Sequence, residues 1–551
     1  MMENKNVLDD KFFARAGRHM TWCNIPVEPH YSPENIRHMD YRKDIGDPGE
    51  FPYTRGIFPD MYRGRLWTMR ELVGFDSPKR TNERIKLQIE EGANALNLIG
   101  DIPAQTGIDS DHPMAEADVG AEGVPLCSVL DWDICMSDID MERVSINFSN
   151  YISPLLACMF ASAEEKGVDP KKLRGTFLND TLAYLLTLYY PKMMDPFDIG
   201  RRMTVDTVLY CMDYAPRVYT LSTGPEGLRE HGASAMQEIA FDFCIARYWF
   251  KEILKKGQDN VNIDQIAPKM GFTHRVGLDI FEEASKFRAA RRVWANMLRD
   301  EFGTENPRSC TYKVYAITMG SQLQGKQIQN NLVRITCQTL AAVLGGVQGI
   351  HTMGYDEPVC LPTEESLRLA LRTQQIICHE TGVVNVADPL GGSYYVESLT
   401  NQIEREIVRI MDEYKDSIAD KIVSGEIFQV LRQGAYKYQK EVEDASRSVV
   451  GVNCFKISEE EDRQAEVHRA DPESVSEHLR NLKDLKRTRD QNRTAKNIEH
   501  IIRTCEDPAA NIFPALLDAA RARATVGEMM GAIRMGHGAE YDPFGQIAYP
   551  F

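Results

Sequence analysis

Short apolar or alternating runs recur along the chain at residues 95–100, 144–149, 173–178, 218–223, 268–273, 311–319, 347–353 and 383–387. The stretches between them carry apolar residues at the three- and four-residue spacing of amphipathic helices. Eight strand–helix units, spaced by roughly 30 to 50 residues, predict a parallel α/β fold, and eight is the number that closes a TIM (β/α)8 barrel. An open doubly wound sheet is the alternative, although no G-x-G-x-x-G run follows any of these strands. Residues 1–50 read as a proline-containing arm that contacts another subunit, 51–400 as the barrel and 401–551 as a helical extension.

The polarity of the strands departs from that of an ordinary barrel, whose axis is packed with Val, Ile and Leu. In 144–149, alternation puts Val144, Ile146 and Phe148 on one face and Ser145, Asn147 and Ser149 on the other. Asn97, Thr220, Ser222 and Thr318 repeat the theme. Small polar groups on a barrel axis leave buried hydrogen-bonding capacity. A ligand threaded along the axis would satisfy it; strand ends meeting loops and water would do so too.

At 551 residues the chain can bury a large core, and its net charge of −17 argues against nucleic acid or an anionic membrane as main partner. Its 12 cysteines form no C-x-x-C pair and its N-terminus is charged, so a reducing cytoplasm is expected. No apolar run reaches membrane-span length. The charge runs at 459–462 and 483–487 read as solvated helix faces.

An anionic ligand needs a local basic patch, and Arg55, Arg63, Arg65 and Arg70 supply one in R-G-I-F-P-D-M-Y-R-G-R-L-W-T-M-R. Pairing of these arginines with nearby acids is the plainer possibility. About forty residues on comes D-S-D-H-P at 109–113. With F-R-A-A-R-R at 287–292, A-A-V-L-G-G at 341–346, L-R-T-Q-Q at 371–375 and D-P-L-G-G-S-Y-Y-V-E at 388–397, the order resembles the adenosylcobalamin-dependent acyl-CoA mutases of the methylmalonyl-CoA mutase family, from about 21 to 455.

That resemblance implies a barrel opened along its axis by the pantetheine arm of coenzyme A, and a radical 1,2-shift of the thioester carbonyl group. It implies CoA contacts at Phe58, Met61, Arg65, Thr68, Arg70, Asn97, Asn147, Ser149, Arg217 and Lys313. Glu357 matches a residue that hydrogen-bonds the adenosyl ribose, and Asp109, Asp111, His112, Gly346 and Gln348 would face the cofactor. The D-x-H-x-x-G signature of a cobalamin domain does not occur in the sequence. A separate small cobalamin-binding subunit is therefore expected, two large with two small, as in the two-subunit mutases of isobutyryl-, 2-hydroxyisobutyryl- and pivalyl-CoA.

The same resemblance exposes departures. Leu72 stands where methylmalonyl-CoA mutases have a tyrosine, and Leu188 where they grip the substrate carboxylate with arginine. Ile99 replaces an aspartate that meets a substrate hydroxyl, while Leu178 and Gly227 replace a glutamine and a histidine at the thioester carbonyl. A carboxylate buried against leucines costs several kcal/mol. These five positions predict a roomy apolar pocket for a branched or bulky hydrocarbon acyl group. Asn179, Glu226 and His274 are candidates to replace the missing carbonyl contacts; Asn179 joins Glu357 as an expected catalytic residue. His231 and His351 read as structural. The alternatives are a methylmalonyl-CoA or 2-hydroxyisobutyryl-CoA mutase, and a non-catalytic CoA-binding scaffold.

Overall fold

The computed structural model describes residues 20–149, 152–187, 196–224, 227–462 and 469–551. Ten short strands form two parallel sheets. Their bounds are β1 Thr68–Met69, β2 Leu72–Val73, β3 Leu96–Ile99, β4 Ser145–Ser149, β5 Arg174–Phe177, β6 Val218–Tyr219, β7 Leu221–Thr223, β8 Met270–Val276, β9 Val314–Thr318 and β10 Gly349–His351. One sheet has the order β2-β3-β4-β5-β6 and the other β1-β10-β9-β8-β7. Only Arg70 and Glu71 separate β1 from β2, and only Thr220 separates β6 from β7. The edge strands of the two sheets are thus consecutive pieces of the same two chain segments.

Seven of the eight expected runs contain strand. The eighth does not: Val383–Asn385 is a single 3-10 turn behind Gly382, whose φ is +76°, and Val386 is 59% exposed. Two adjacent valines imitate a strand, but three residues with no neighbouring strand cannot form a ladder. Strand outside the expected runs occurs at β1 and β2, where the intervening Arg70-Glu71 pair interrupts the apolar pattern.

Helices follow the strands, and eleven of them position the site: α1 Pro78–Glu90, α2 Ser153–Glu165, α3 Phe197–Tyr214, α4 Ala235–Gly257, α5 Ile280–Phe302, α6 Glu364–Glu380, α7 Tyr394–Tyr414, α8 Pro472–Thr488, α9 Gln491–Glu506, α10 Phe513–Arg521 and α11 Val526–Gly536. Their ends are written locally. Ser234 and Gln237 form a capping box on α4, and Asp279 caps α5, which stops at Gly303 in a left-handed conformation; each such cap is worth about 1 kcal/mol. The expected boundary at 400 falls inside α7, which packs on α4 and α5.

Apolar residues of the strands turn toward these helices. Leu96, Leu98, Ile146, Phe148 and Phe177 join one core with α2, α10 and α11. Leu221, Met270, Phe272, Val314, Ala316 and Ile350 join the other with α4, α5 and α7. The alternate residues lie on the opposite face, which is polar along much of its length. Among the described residues no helix is long and apolar enough to cross a membrane.

Candidate active site

On that opposite, inner face a belt of neutral hydrogen bonds crosses the strands. Asn97 on β3 donates to the Tyr315 hydroxyl on β9 at 2.9 Å, and its Oδ1 accepts from Ser149 Oγ at 3.2 Å and from Asn147 Nδ2. Tyr315 in turn donates to the Arg70 carbonyl at 3.3 Å, while the Arg70 guanidinium stacks 4.3 Å over the Tyr315 ring. No carboxylate pairs with Arg70 among the described residues, and burial lowers its pKa from the ordinary guanidinium value. Gly349 is required here, since a Cβ would come within 2.5 Å of Thr68 Oγ1 and 3.2 Å of Arg70 Nη2.

Cations gather at the N-terminal ends of the strands. Lys313 precedes β9, lies 5.1 Å over the Tyr219 ring and donates to the Pro268 carbonyl. Burial, helped by nearby Arg308, pulls its pKa down to about 8. Arg217 is exposed just before β6, and Lys269 precedes β8. Of the arginine-rich segment, Arg55 pairs with Asp388, as the plainer reading held; Arg63 and Arg65 are exposed with no ion pair among the described residues. Phe58 is exposed, whereas Met61 is buried against Gly346. Thr68 Oγ1 contacts the Gln348 carbonyl.

The C-terminal ends have a different character. Register places Arg275, Ile317 and His351 side by side across β8, β9 and β10. Glu357 follows in the next loop, and its carboxyl makes no hydrogen bond among the described residues; burial, partly offset by His351 and Arg275, raises its pKa. Arg275 Nε lies 3.4 Å from Glu230 Oε1, which also accepts from Gly320 N. Ile99, Ser149 and Leu178 continue the row, and the Leu72 N–H meets His351 Nδ1 at 3.2 Å.

Several expected site residues are placed elsewhere. Asn179 is fully buried with its amide on the Thr204 and Thr220 carbonyls, so it pins α3 to the strand and does not reach the row with Glu357. His274 shares its phase with Phe272, faces the helices and contacts Asp242 and Tyr312. Gly346 and Gln348 precede β10, far along the strand from Glu357, and the Gln348 side chain serves Val314 N and the Gly346 carbonyl. Asp109 accepts from Thr525 Oγ1 at 2.6 Å and Gly527 N at 2.8 Å, His112 pairs with Asp542 at 3.2 Å, and Lys486 holds Asp111. That loop therefore lies under α8, α11 and the C-terminal turn, beside a cavity of about 340 Å³ lined by the Lys486–Asp111, Arg489–Glu528 and His112–Asp542 pairs. Gly227 opens the short helix Gly227–Glu230; Leu188 and Glu226 lie outside the described residues. Tyr315 and Arg275 went unnoticed in the sequence, although both share the phase of inner-face neighbours, Lys313 and Thr273.

A family model described as methylmalonyl-CoA mutase matches residues 20–539. The chain belongs to the methylmalonyl-CoA mutase family. It is 35% identical to the 2-hydroxyisobutanoyl-CoA mutase large subunit of Aquincola tertiaricarbonis, over 93% of this chain and 90% of that protein. It is 32% identical to methylmalonyl-CoA mutase of Rhizobium meliloti, covering 93% of this chain and 72% of the relative. The mitochondrial methylmalonyl-CoA mutase of Homo sapiens is also 32% identical, covering 93% and 67% respectively. Members of the family are adenosylcobalamin-dependent acyl-CoA mutases, and the chain is an isomerase of this class.

Proposed function

We propose that the chain is the large subunit of an acyl-CoA mutase that shifts the thioester carbonyl group of a branched or bulky apolar acyl-CoA. In this reading the two sheets are two arcs of one (β/α)8 barrel, joined where β1 runs into β2 and β6 into β7. The CoA ester lies along the inner face, phosphates at the basic N-terminal ends and acyl group at the C-terminal ends. Adenosylcobalamin, carried by a small partner subunit, supplies homolytic cobalt–carbon cleavage when bound.

The observation that carries the reading is the polarity of the inner face. Arg217, Lys313 and exposed Arg65 suit phosphates at one end. Asn97, Asn147 and Ser149 suit the amides of a pantetheine arm in the middle. Leu72, Ile99 and Leu178 keep water from a hydrocarbon chain at the other. Glu357 fits the cofactor's ribose, because its half-buried carboxyl has acceptor capacity that no described residue fills. Nearly full-length similarity to a protein named as a large subunit supports the separate small subunit.

The test is turnover by the chain with a small cobalamin-binding subunit and adenosylcobalamin, across a panel of acyl-CoAs. Branched apolar esters are expected to react fastest. Efficient turnover of methylmalonyl-CoA with none for apolar esters would overturn the assignment.

A further inference from the structure

Four histidines are buried among the described residues, and in three each ring nitrogen has a polar neighbour within 4 Å, although Nδ1 of His274 and of His478 makes no hydrogen bond. His112 takes Met114 N and Asp542, His478 takes Ser110 and Asp131, and His274 lies 3.3 Å from Asp242 and 3.7 Å from Glu238. His351 differs. Its Nδ1 lies 2.6 Å from Glu71 Oε2, while its Nε2 has no hydrogen-bond partner among the described residues and is not one of the fully buried polar atoms. An imidazole nitrogen that protein atoms leave unmet is available to a ligand.

The ring's orientation is built in. Glu71 is fixed by Gln374 Nε2 at 2.7 Å and Thr352 N at 3.1 Å, and Gln374 is itself held by Trp67 Nε1 at 3.0 Å. Strand phase puts His351 on the inner face, because Ile350 packs with the helices and Gly349 abuts Tyr315 and Arg70. Ile317 separates it from Arg275, Leu72 adjoins it, and Glu357 lies close enough to feel its charge. Leu178, Ile99 and Gly227 offer no side-chain donor at this end, so a thioester carbonyl oxygen there needs one from another strand.

We propose that His351 is a catalytic residue whose Nε2–H donates to the thioester carbonyl of the bound CoA ester, and that Glu71 is the positioning residue behind it. This rests on the mutase reading above. Nδ1 is held beside Glu71 Oε2 and the Leu72 N–H, so Nε2 is the ring nitrogen left to carry the N–H directed at the ligand. Such a donor stabilises negative charge that builds on the carbonyl oxygen as the group migrates. It touches only this oxygen and transfers no proton.

The experiment uses the complete complex of chain, small subunit and adenosylcobalamin, with a CoA ester carrying a ¹³C-labelled thioester carbonyl. His351→Ala is expected to lower kcat about 100-fold, with KM changed less than threefold. His351→Gln should recover part of that loss. The isotope-edited infrared band of the bound carbonyl should lie at lower wavenumber in the wild type than in His351→Ala, and between the two in Glu71→Gln. Unchanged kcat and an unmoved band in a folded His351→Ala complex would overturn the proposal. If that variant fails to fold, the wild-type band decides: a carbonyl frequency matching the ester free of hydrogen bonds overturns it. Failure of the wild type to turn over any CoA ester sinks the mutase reading instead, and the band in the bound ester still judges His351.

Discussion

His274 and His351 lie on opposite faces of one parallel sheet, on β8 and β10 with β9 between them, and their surroundings show how one periodicity builds both a scaffold and a site. On the helix side, His274 belongs to an ionic cluster in which Lys286 Nζ reaches Glu238 at 3.0 Å and Glu283 at 2.6 Å, with Arg229 3.0 Å from Glu283. Charge there answers charge: although burial works against it, Lys286 and His274 hold the Glu238 carboxyl well below the usual carboxylate range. On the inner side, Arg70 has no acid partner, Glu357 no hydrogen-bond donor and His351 Nε2 no acceptor among the described residues. Opposed charges closed against the helices hold them in place, although His274 Nδ1 and both Asp242 carboxyl oxygens make no hydrogen bond there; the unpaired groups of the inner side await a ligand.

The contrast breaks most visibly in the closed cluster. Lys286→Met strands two buried carboxylates and should cost about 3–5 kcal/mol, read as a fall in denaturation midpoint; a change below about 1 kcal/mol would mean that the cluster is not needed for stability. Because the folded pKa of Glu238 is depressed, its contribution is complete above its unfolded value, near ~4.3, and drains away as pH falls below it. Acid should therefore destabilise the wild type more steeply than Glu238→Gln.

Next comes His351→Ala, expected to reduce kcat about 100-fold with little change in melting temperature, the reverse of the Lys286 result. Smaller again is the effect at the basic end. Lys313→Met and Arg217→Ala should each raise KM for CoA esters about 10-fold, equivalent to ~1.4 kcal/mol, with kcat within about twofold. Lys313 is cationic below its pKa of about 8, so KM should climb as pH rises through that value; Lys313→Arg should flatten the climb. Smallest is Tyr315→Phe, which removes one hydroxyl between Asn97 and the Arg70 carbonyl and should cost about 1 kcal/mol in denaturation measurements.

Much of this was legible in the sequence where alternation is clean. V-S-I-N-F-S announces β4 and the polarity of its two faces, and Asn147 and Ser149 do meet Asn97 there. Strands β1 and β2 were hidden because the intervening Arg70 and Glu71 face opposite sides and break the apolar run. Val383 and Val384 imitated a strand through β-branched content alone. Asn179 and His274 were named from chemistry and proximity in sequence, which do not reveal the side on which a residue emerges. Phe272, two residues before His274, carried the outward phase that would have placed it. The covering of Asp109 by Thr525 and Gly527 arises between segments more than 400 residues apart. No local pattern encodes that contact.

The central claim is that a CoA ester lies along the inner face with a fixed direction. A structure of the assembled complex with an unreactive CoA thioester tests it most directly. The account predicts phosphates near Arg217 and Lys313, pantetheine amides on Asn97 and Asn147, and the carbonyl oxygen at hydrogen-bond distance from His351 Nε2. An ester bound outside the sheets, or threaded with its acyl end at Lys313, would contradict it.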